Sequence, residues 1–311
     1  TLNEPSPGYI GRGAGDLQTG SRVMGEGPPP FSSLDHLAAA DGATVRHGDG
    51  RVLNPQGISI WQGGCPLRRA GVWDLGPDGR PVLLRPEHFT SVAGRPVHAW
   101  SDFIAPFLGR FRDAIRPAHP GCLIFIEGPP QEFQTPWRDP DPLVVHARHW
   151  YDFVALTRRR FDPQAYSPFE GWTIQGVPAI AEFFATQLRA IAEHTRTEMG
   201  DLPVLIGEFG IPYEMNGGEA YRSGDYAMQL AALDANYGAL EATLLSSTQW
   251  NYTADNTHAL GDRWNHEDLS IFSLDDQRGA ADLDAGGRGT DAFCRPYVRH
   301  AAGRPEAMQI G

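Results

Sequence analysis

The pattern that most constrains this chain is a series of short apolar, β-favouring segments, each closing on or beside a residue able to do chemistry. Thr1–Asn3 reads as the end of one, and Cys122–Glu127, Leu143–Ala147, Pro203–Phe209 and Thr243–Trp250 as four more. At or just beyond their ends stand Glu4, Glu127, His149, Glu208 and Trp250. Segments of helical spacing lie between them. Phe103–Ile115 repeats apolar residues at Phe103, Phe107, Leu108, Phe111 and Ile115, Ile180–His194 does so at Ile180, Phe183, Phe184, Leu188 and Ile191, and Tyr226–Leu240 is a third. Brief buried strands alternating with helices predict an α/β fold with a parallel sheet. Polar groups at the C-terminal ends of successive strands point further, to a (β/α)8 barrel. A doubly wound sheet is the alternative, but no glycine-rich phosphate loop follows any strand.

A barrel needs eight strands, and the sequence supplies about five, the first as a stub. We therefore expect strands 4–8 of a barrel truncated at its N-terminus by about three βα units, on the order of 100 residues. The missing strands would lie on the same full-length polypeptide or on a companion fragment. Residues 1–302 read as this partial catalytic domain, and 303–311 as the start of a linker. Between the first two strand ends, residues 6–97 form a long insertion rich in Gly and Pro, with little sustained periodicity. Its aromatic residues Phe31, Trp61, Trp73 and Phe89 suggest an ordered cap over the active-site face, and offer either an apolar groove or anchors to the barrel.

Composition narrows the function classes. The formal net charge is -12 and the basic runs are no longer than Arg158–Arg160, so no basic face for nucleic acid is expected. All the basic residues are Arg, which excludes Schiff-base chemistry on a lysine of this chain. The longest apolar runs are too short to span a bilayer. Three cysteines, Cys65, Cys122 and Cys294, make neither a disulfide framework nor a CxxC pair. His266-Glu267-Asp268 are adjacent residues with no second contributor, so no metal is implied, and no organic cofactor either.

Two strand-end glutamates carry the chemical reading. Glu208 sits between Gly207 and Gly210 after an apolar run, where a buried carboxylate costs several kcal/mol unless it is paired. Glu4 stands in Asn3-Glu4-Pro5, which alone reads equally well as a turn. Together they supply what glycoside hydrolysis requires: one carboxyl to protonate the leaving oxygen, another to attack the anomeric carbon, about 5–5.5 Å apart in a retaining enzyme. Tyr151 is placed to hydrogen-bond the nucleophile and His149 to contact a sugar hydroxyl; a buried, mutually satisfied His–Tyr pair is the structural alternative. Trp250 offers a face for a pyranose ring or a core side chain, and Asn3 a contact to the sugar 2-hydroxyl.

These residues resemble glycoside hydrolase family 5, a retaining barrel group, and within it the endoglycoceramidase-related β-glucosidases acting on glucosylceramide and steryl β-glucosides. The similar stretches are Asn3–Gly11, Gly71–Leu75, His149–Asp152, Gly207–Gly217, Trp250–Asn256, Asp262–Ser270 and Gly286–Tyr297, which together run over nearly the whole chain. The resemblance implies Glu4 as acid/base, Glu208 as nucleophile, and Asn3, His149, Tyr151 and Trp250 as sugar-contacting residues. It also implies a cis bond at Trp250–Asn251, and Asn256, Trp264 and Glu267 lining the glucose pocket. A C-terminal β-sandwich would be expected beyond Arg295-Pro296-Tyr297. The expected partner is a small glycoside or a glycolipid. The other readings are an endoglycoceramidase or β-glucanase of the same family, or a carbohydrate- or lipid-binding barrel without activity.

Overall fold

The computed structural model describes residues 32–46, 48, 50–127, 137, 141–262, 267–277, 282, 284–299, 301–303 and 305–308. The sequence expectations at Asn3, Glu4, Phe31 and Trp264 therefore lie outside the described residues. The chain divides into two compact units, Thr1–Phe107 and Leu108–Gly311. No helix among the described residues is long and apolar enough to cross a membrane.

The second unit is built on four strands: β1 (Ile124–Ile126), β2 (Val144–His149), β3 (Val204–Phe209) and β4 (Ser246–Gln249). They lie side by side in chain order, every pair parallel, with Ile124 opposite Val144, Val204 opposite His146 and Leu205 opposite Ser246. Parallel neighbours need a crossover, and helices provide it. Helix α1 (Val177–Glu198) joins β2 to β3, and α2 (Ala227–Thr243) joins β3 to β4. This is the alternation read from the sequence, so the α/β class and four of the five expected strands are present. The fifth, at Thr1–Asn3, is outside the described residues.

The apolar stripe of α1 explains the core. Ile180, Phe184, Leu188 and Ile191 are buried against Ile206 and Phe209 of β3 and against Ala232, Leu233, Ala239 and Leu240 of α2. Each such large side chain contributes about 1.5–3 kcal/mol when fully buried. The two helices approach closely because α2 offers small residues there. A Cβ on Gly238 would stand 3.3 Å from that of Ala181. Pro178 falls in the first turn of α1, where its missing N–H is no loss, and Leu244 ends α2 in the left-handed region at φ 56°.

The insertion of the first unit reads as aperiodic in sequence because its elements are too short for a period to repeat, yet it has a core of its own. The helix Ser33–Ala40 opens with a capping box between Ser32 and Asp35 and buries Leu34 and Ala38. An antiparallel hairpin, Trp73–Leu75 with Pro81–Leu83, contributes Trp73, which packs with Val45, Cys65 and Val72. Trp73 is 1% exposed, so it holds this small core and lines no groove, whereas Trp61 is 38% exposed and Phe89 packs against the core. The segment expected as a helix at Phe103–Ile115 opens as a π-turn, Ala99–Ile104, and turns α-helical at Ala105–Ile115.

Candidate active site

The site begins with an irregularity in β3. Ile206 and Phe209 are both buried in the helix layer, yet they are three residues apart, a spacing that regular alternation sends to opposite faces. The pairing register of β3 shifts against β2 between Ile206 and Glu208, and against β4 between Ile206 and Phe209. A bulge at Gly207 absorbs the extra residue and turns Glu208 away from the helix layer. Gly207 suits this position because a Cβ there would come within 3.2 Å of the Ala147 carbonyl oxygen on β2.

The end of β2 meets Glu208. The sequence stops this strand at Ala147, but pairing continues to His149, which lies opposite Glu208. The Trp150 N–H donates to the Glu208 carbonyl at 2.9 Å, pinning the two strand ends together. Tyr151 donates its hydroxyl to Glu208 Oε2 at 2.8 Å, and His149 Nδ1 lies 3.1 Å from the same oxygen. His149 Nδ1 is also 3.3 Å from Glu127 Oε1, at the end of β1. Behind this triad the chain is anchored by Asp152, a buried cap whose Oδ1 accepts from the Val154 N–H at 2.9 Å and from the Tyr166 hydroxyl at 2.6 Å.

Burial dominates the shifts of the groups around Glu208. Burial, then the charge of Glu208, pushes the Tyr151 hydroxyl upward, so it remains a donor. Burial lowers His149, with Glu208 pulling the other way and Arg148 adding to the fall. Glu127 is pushed up to about 7, chiefly by burial and then by Glu208, with Arg148 opposing. Among the described residues, the Tyr151 hydroxyl donates to Oε2 with His149 Nδ1 close beside it, which leaves Oε1 as the oxygen available for attack.

Trp250 follows β4, half-buried, its N–H donating to the Phe209 carbonyl at 2.8 Å. The cis peptide implied by the resemblance is present at Trp250–Asn251. Gly210 makes the approach possible, since a Cβ there would collide with the Trp250 carbonyl oxygen. Beyond it the chain doubles back, and Asn251 Nδ2 donates to Asp262 Oδ2 at 2.9 Å. Glu267 is half-buried and pushed up to about 7 by burial, then by Asp262; Glu214 and Glu208 add to this and Arg159 opposes it. Arg159 pairs with Glu214 at 2.6 Å.

Asn256 is placed differently from the expectation. It is fully buried, its Nδ2 donates to Asp268 Oδ1 at 2.8 Å, and the Arg288 guanidinium lies 3.5 Å from its Oδ1. Its amide is thus engaged with Asp268 and Arg288, which tie the loop together from behind. Arg288, 1% exposed, donates to Asp268 Oδ2 at 2.8 Å and stacks over the Tyr213 ring at 4.1 Å. The sequence reading also missed the contact of Glu127 with His149 and the Arg159–Glu214 pair. For Glu127 the signal was available: like Glu208, it closes an apolar strand.

Comparison with known proteins agrees with the resemblance read from the motifs. No family model matches the chain. A glucosylceramidase of Aspergillus fumigatus is 33% identical over 89% of this chain and 43% of its own length. An ergosteryl-β-glucosidase of Saccharomyces cerevisiae is 28% identical over 89% of this chain and 42% of its length. Among solved structures, sterylglucosidase 1 of Cryptococcus neoformans superposes with a TM-score of 0.70 at 26% identity, covering 100% of this chain and 52% of that one. The chain spans about half the length of the curated relatives it matches. It is thus related to glucosylceramidases and steryl glucosidases, with an α/β architecture consistent with their barrel.

Proposed function

We propose that this chain carries the catalytic machinery of a retaining β-glucosidase acting on glucosides with a lipid aglycone, glucosylceramide or a steryl β-glucoside. The four parallel strands are read as strands 5–8 of a (β/α)8 barrel, with Glu4 at the end of strand 4. The observation that carries the reading is the asymmetric hold on Glu208, with the Tyr151 hydroxyl donating to Oε2, His149 Nδ1 close beside that oxygen, and Oε1 left to react. A carboxylate so held is oriented for attack rather than neutralised. The lipid aglycone rests on the names of the relatives.

The reaction is a double displacement. Glu208 Oε1 forms a bond to the anomeric carbon as the bond to the aglycone oxygen breaks, and Glu4 gives that oxygen its proton. Water then adds to the anomeric carbon, surrendering a proton to Glu4, and the ester bond to Glu208 breaks. The net result is one glucoside and one water converted to glucose and a free alcohol, with both carboxyls restored. His149 contacts a sugar hydroxyl, and Trp250 stacks on the ring. Incubation with an activated 2-deoxy-2-fluoro-β-glucoside should add one fluoroglucosyl group, located on Glu208 by peptide mass mapping and absent from Glu208→Gln. A label on another residue refutes the assignment. Side-by-side hydrolysis of glucosylceramide, a steryl β-glucoside and a larger glycolipid separates the specificities, since an endo-acting enzyme releases an oligosaccharide.

A further inference from the structure

We propose that the antiparallel hairpin of Tyr166–Phe169 and Trp172–Ile174 is a docking element for a bilayer surface, seating Phe169 and Trp172 among the headgroups of anionic phospholipids. The inference rests on the lipid-glucoside reading above, which puts the substrate in a bilayer. Tyr, Phe, Trp and Ile favour extended backbone, and the turn between the strands is Glu170-Gly171, with Gly171 at the positive φ of 76° that a two-residue turn demands. Phe169 and Trp172 are therefore cross-strand partners at the hairpin tip. Their rings stack at 5.8 Å with 18° between the planes, and the two residues are 61% and 45% exposed. That leaves a large apolar surface in water at the most prominent point of the hairpin.

The hairpin is held to the site at its base. Tyr166 donates to Asp152 Oδ1 at 2.6 Å, and Asp152 directly follows Tyr151, the donor to Glu208. Trp172 meets the edge of Phe183 at 5.2 Å, and Phe183 lies 5.9 Å from the core ring of Phe184. Because it connects the end of β2 to the start of α1, the hairpin stands on the side of the sheet that carries Glu208. Charge and size select the occupant. The chain has a net charge of -12, yet residues 153–176 hold three arginines against two carboxylates, Asp162 and Glu170. Arg158 and Arg160 are exposed, and Arg158 Nη1 donates to the Ser167 carbonyl at 3.4 Å, which sets its guanidinium beside the hairpin. Exposed aromatic rings next to arginine match an anionic headgroup layer, where Trp settles and basic side chains are attracted. A stable protein interface takes about 20–30 residues a side, far more than this tip offers.

The test is co-sedimentation of the whole chain with vesicles of phosphatidylcholine alone and of an equal mixture with phosphatidylserine. Wild type should bind the mixed vesicles more tightly than the neutral ones and be released as salt rises. Phe169→Ser/Trp172→Ser should lower the partition coefficient by at least about ten-fold on both. Arg158→Gln/Arg160→Gln should lower it by about ten- to thirty-fold on the mixed vesicles and little on the neutral ones. Quenching of tryptophan fluorescence by brominated lipid should be reduced in Trp172→Phe, a change that keeps an aromatic ring in place and the fold with it. Hydrolysis of an aryl β-glucoside in solution should be unchanged in Phe169→Ser/Trp172→Ser, while hydrolysis of glucosylceramide in the mixed vesicles falls with binding. The proposal is overturned if that variant binds vesicles as wild type does, if quenching survives intact in Trp172→Phe, or if these residues instead mediate dimerisation of a chain that ignores vesicles. Vesicle binding through the hairpin without glucoside hydrolysis counts against the glycosidase reading alone; hydrolysis without vesicle binding counts against the docking element alone.

Discussion

Replacing Tyr151 by Phe deletes one hydrogen atom donor and little else. The ring and its packing remain, while the 2.8 Å bond to Glu208 Oε2 is lost. Hydrogen bonds to charged groups contribute about 1.5–3 kcal/mol, and each 1.36 kcal/mol is about ten-fold in rate. His149 Nδ1 remains 3.1 Å from the same oxygen as a close polar neighbour, so the lower half of that range applies. In the second displacement Glu208 leaves with charge building on its carboxyl, and there the donor is missed most. Hydrolysis of an aryl β-glucoside should therefore slow in kcat by about 10- to 50-fold, with KM unchanged or lowered as the glycosyl-enzyme accumulates. Reactivation of the fluoroglucosyl enzyme should slow by the same factor. If both rates stay within about two-fold of wild type, or if KM rises while kcat holds, then Tyr151 does not orient the nucleophile.

Three further changes test other parts of the arrangement. Gly210→Ala forces a Cβ against the Trp250 carbonyl oxygen and should cost more than about 2 kcal/mol by chemical denaturation, with activity reduced in whatever folds. Arg288→Met leaves Asp268 buried without its guanidinium and should lower stability by about 3–5 kcal/mol; replacing both Arg288 and Asp268 by apolar residues should recover part of this, as a double-mutant cycle will show. Glu267, raised from the usual carboxylate range to about 7, binds its proton more tightly folded than unfolded. Its contribution therefore falls as pH rises through that window and is fully unfavourable above about 7. Glu267→Gln should accordingly lose less stability than wild type between about pH 5 and 7.5, measured by urea unfolding at each pH.

What the sequence discloses and what it hides follow from the same physics. The helices α1 and α2 were legible because seventeen or more residues allow a 3.6-residue period to repeat, and the buried Ile180, Phe184, Leu188 and Ile191 fall on that period. The strands were legible as apolar runs ended by glycine or polar residues, but not their last residues. His149 is paired because Glu208 lies across from it, a fact of register that its own neighbours do not carry. The insertion hides its core for the opposite reason, since Trp73 and Val45 come from strands of two or three residues. Asn256 shows a further limit, because a motif places a residue in a loop without saying which of its sides is dry.

The bulge at Gly207 joins these strands of argument. A regular β3 with Ile206 in the core would set Phe209 on the site face and leave Glu208 among apolar side chains. The extra residue lets one strand satisfy both demands, keeping Phe209 packed on Tyr237 at 5.1 Å while presenting Glu208 to Tyr151 and His149. Glycine is therefore needed twice around Glu208, for different contacts: Gly207 against the Ala147 carbonyl on β2, Gly210 against that of Trp250 beyond β4. The Gly-Glu-Phe-Gly run thus reads as a structural instruction before it is a catalytic one. It brings the flanking backbones close enough that a carboxylate between them meets donors from the strand beside it.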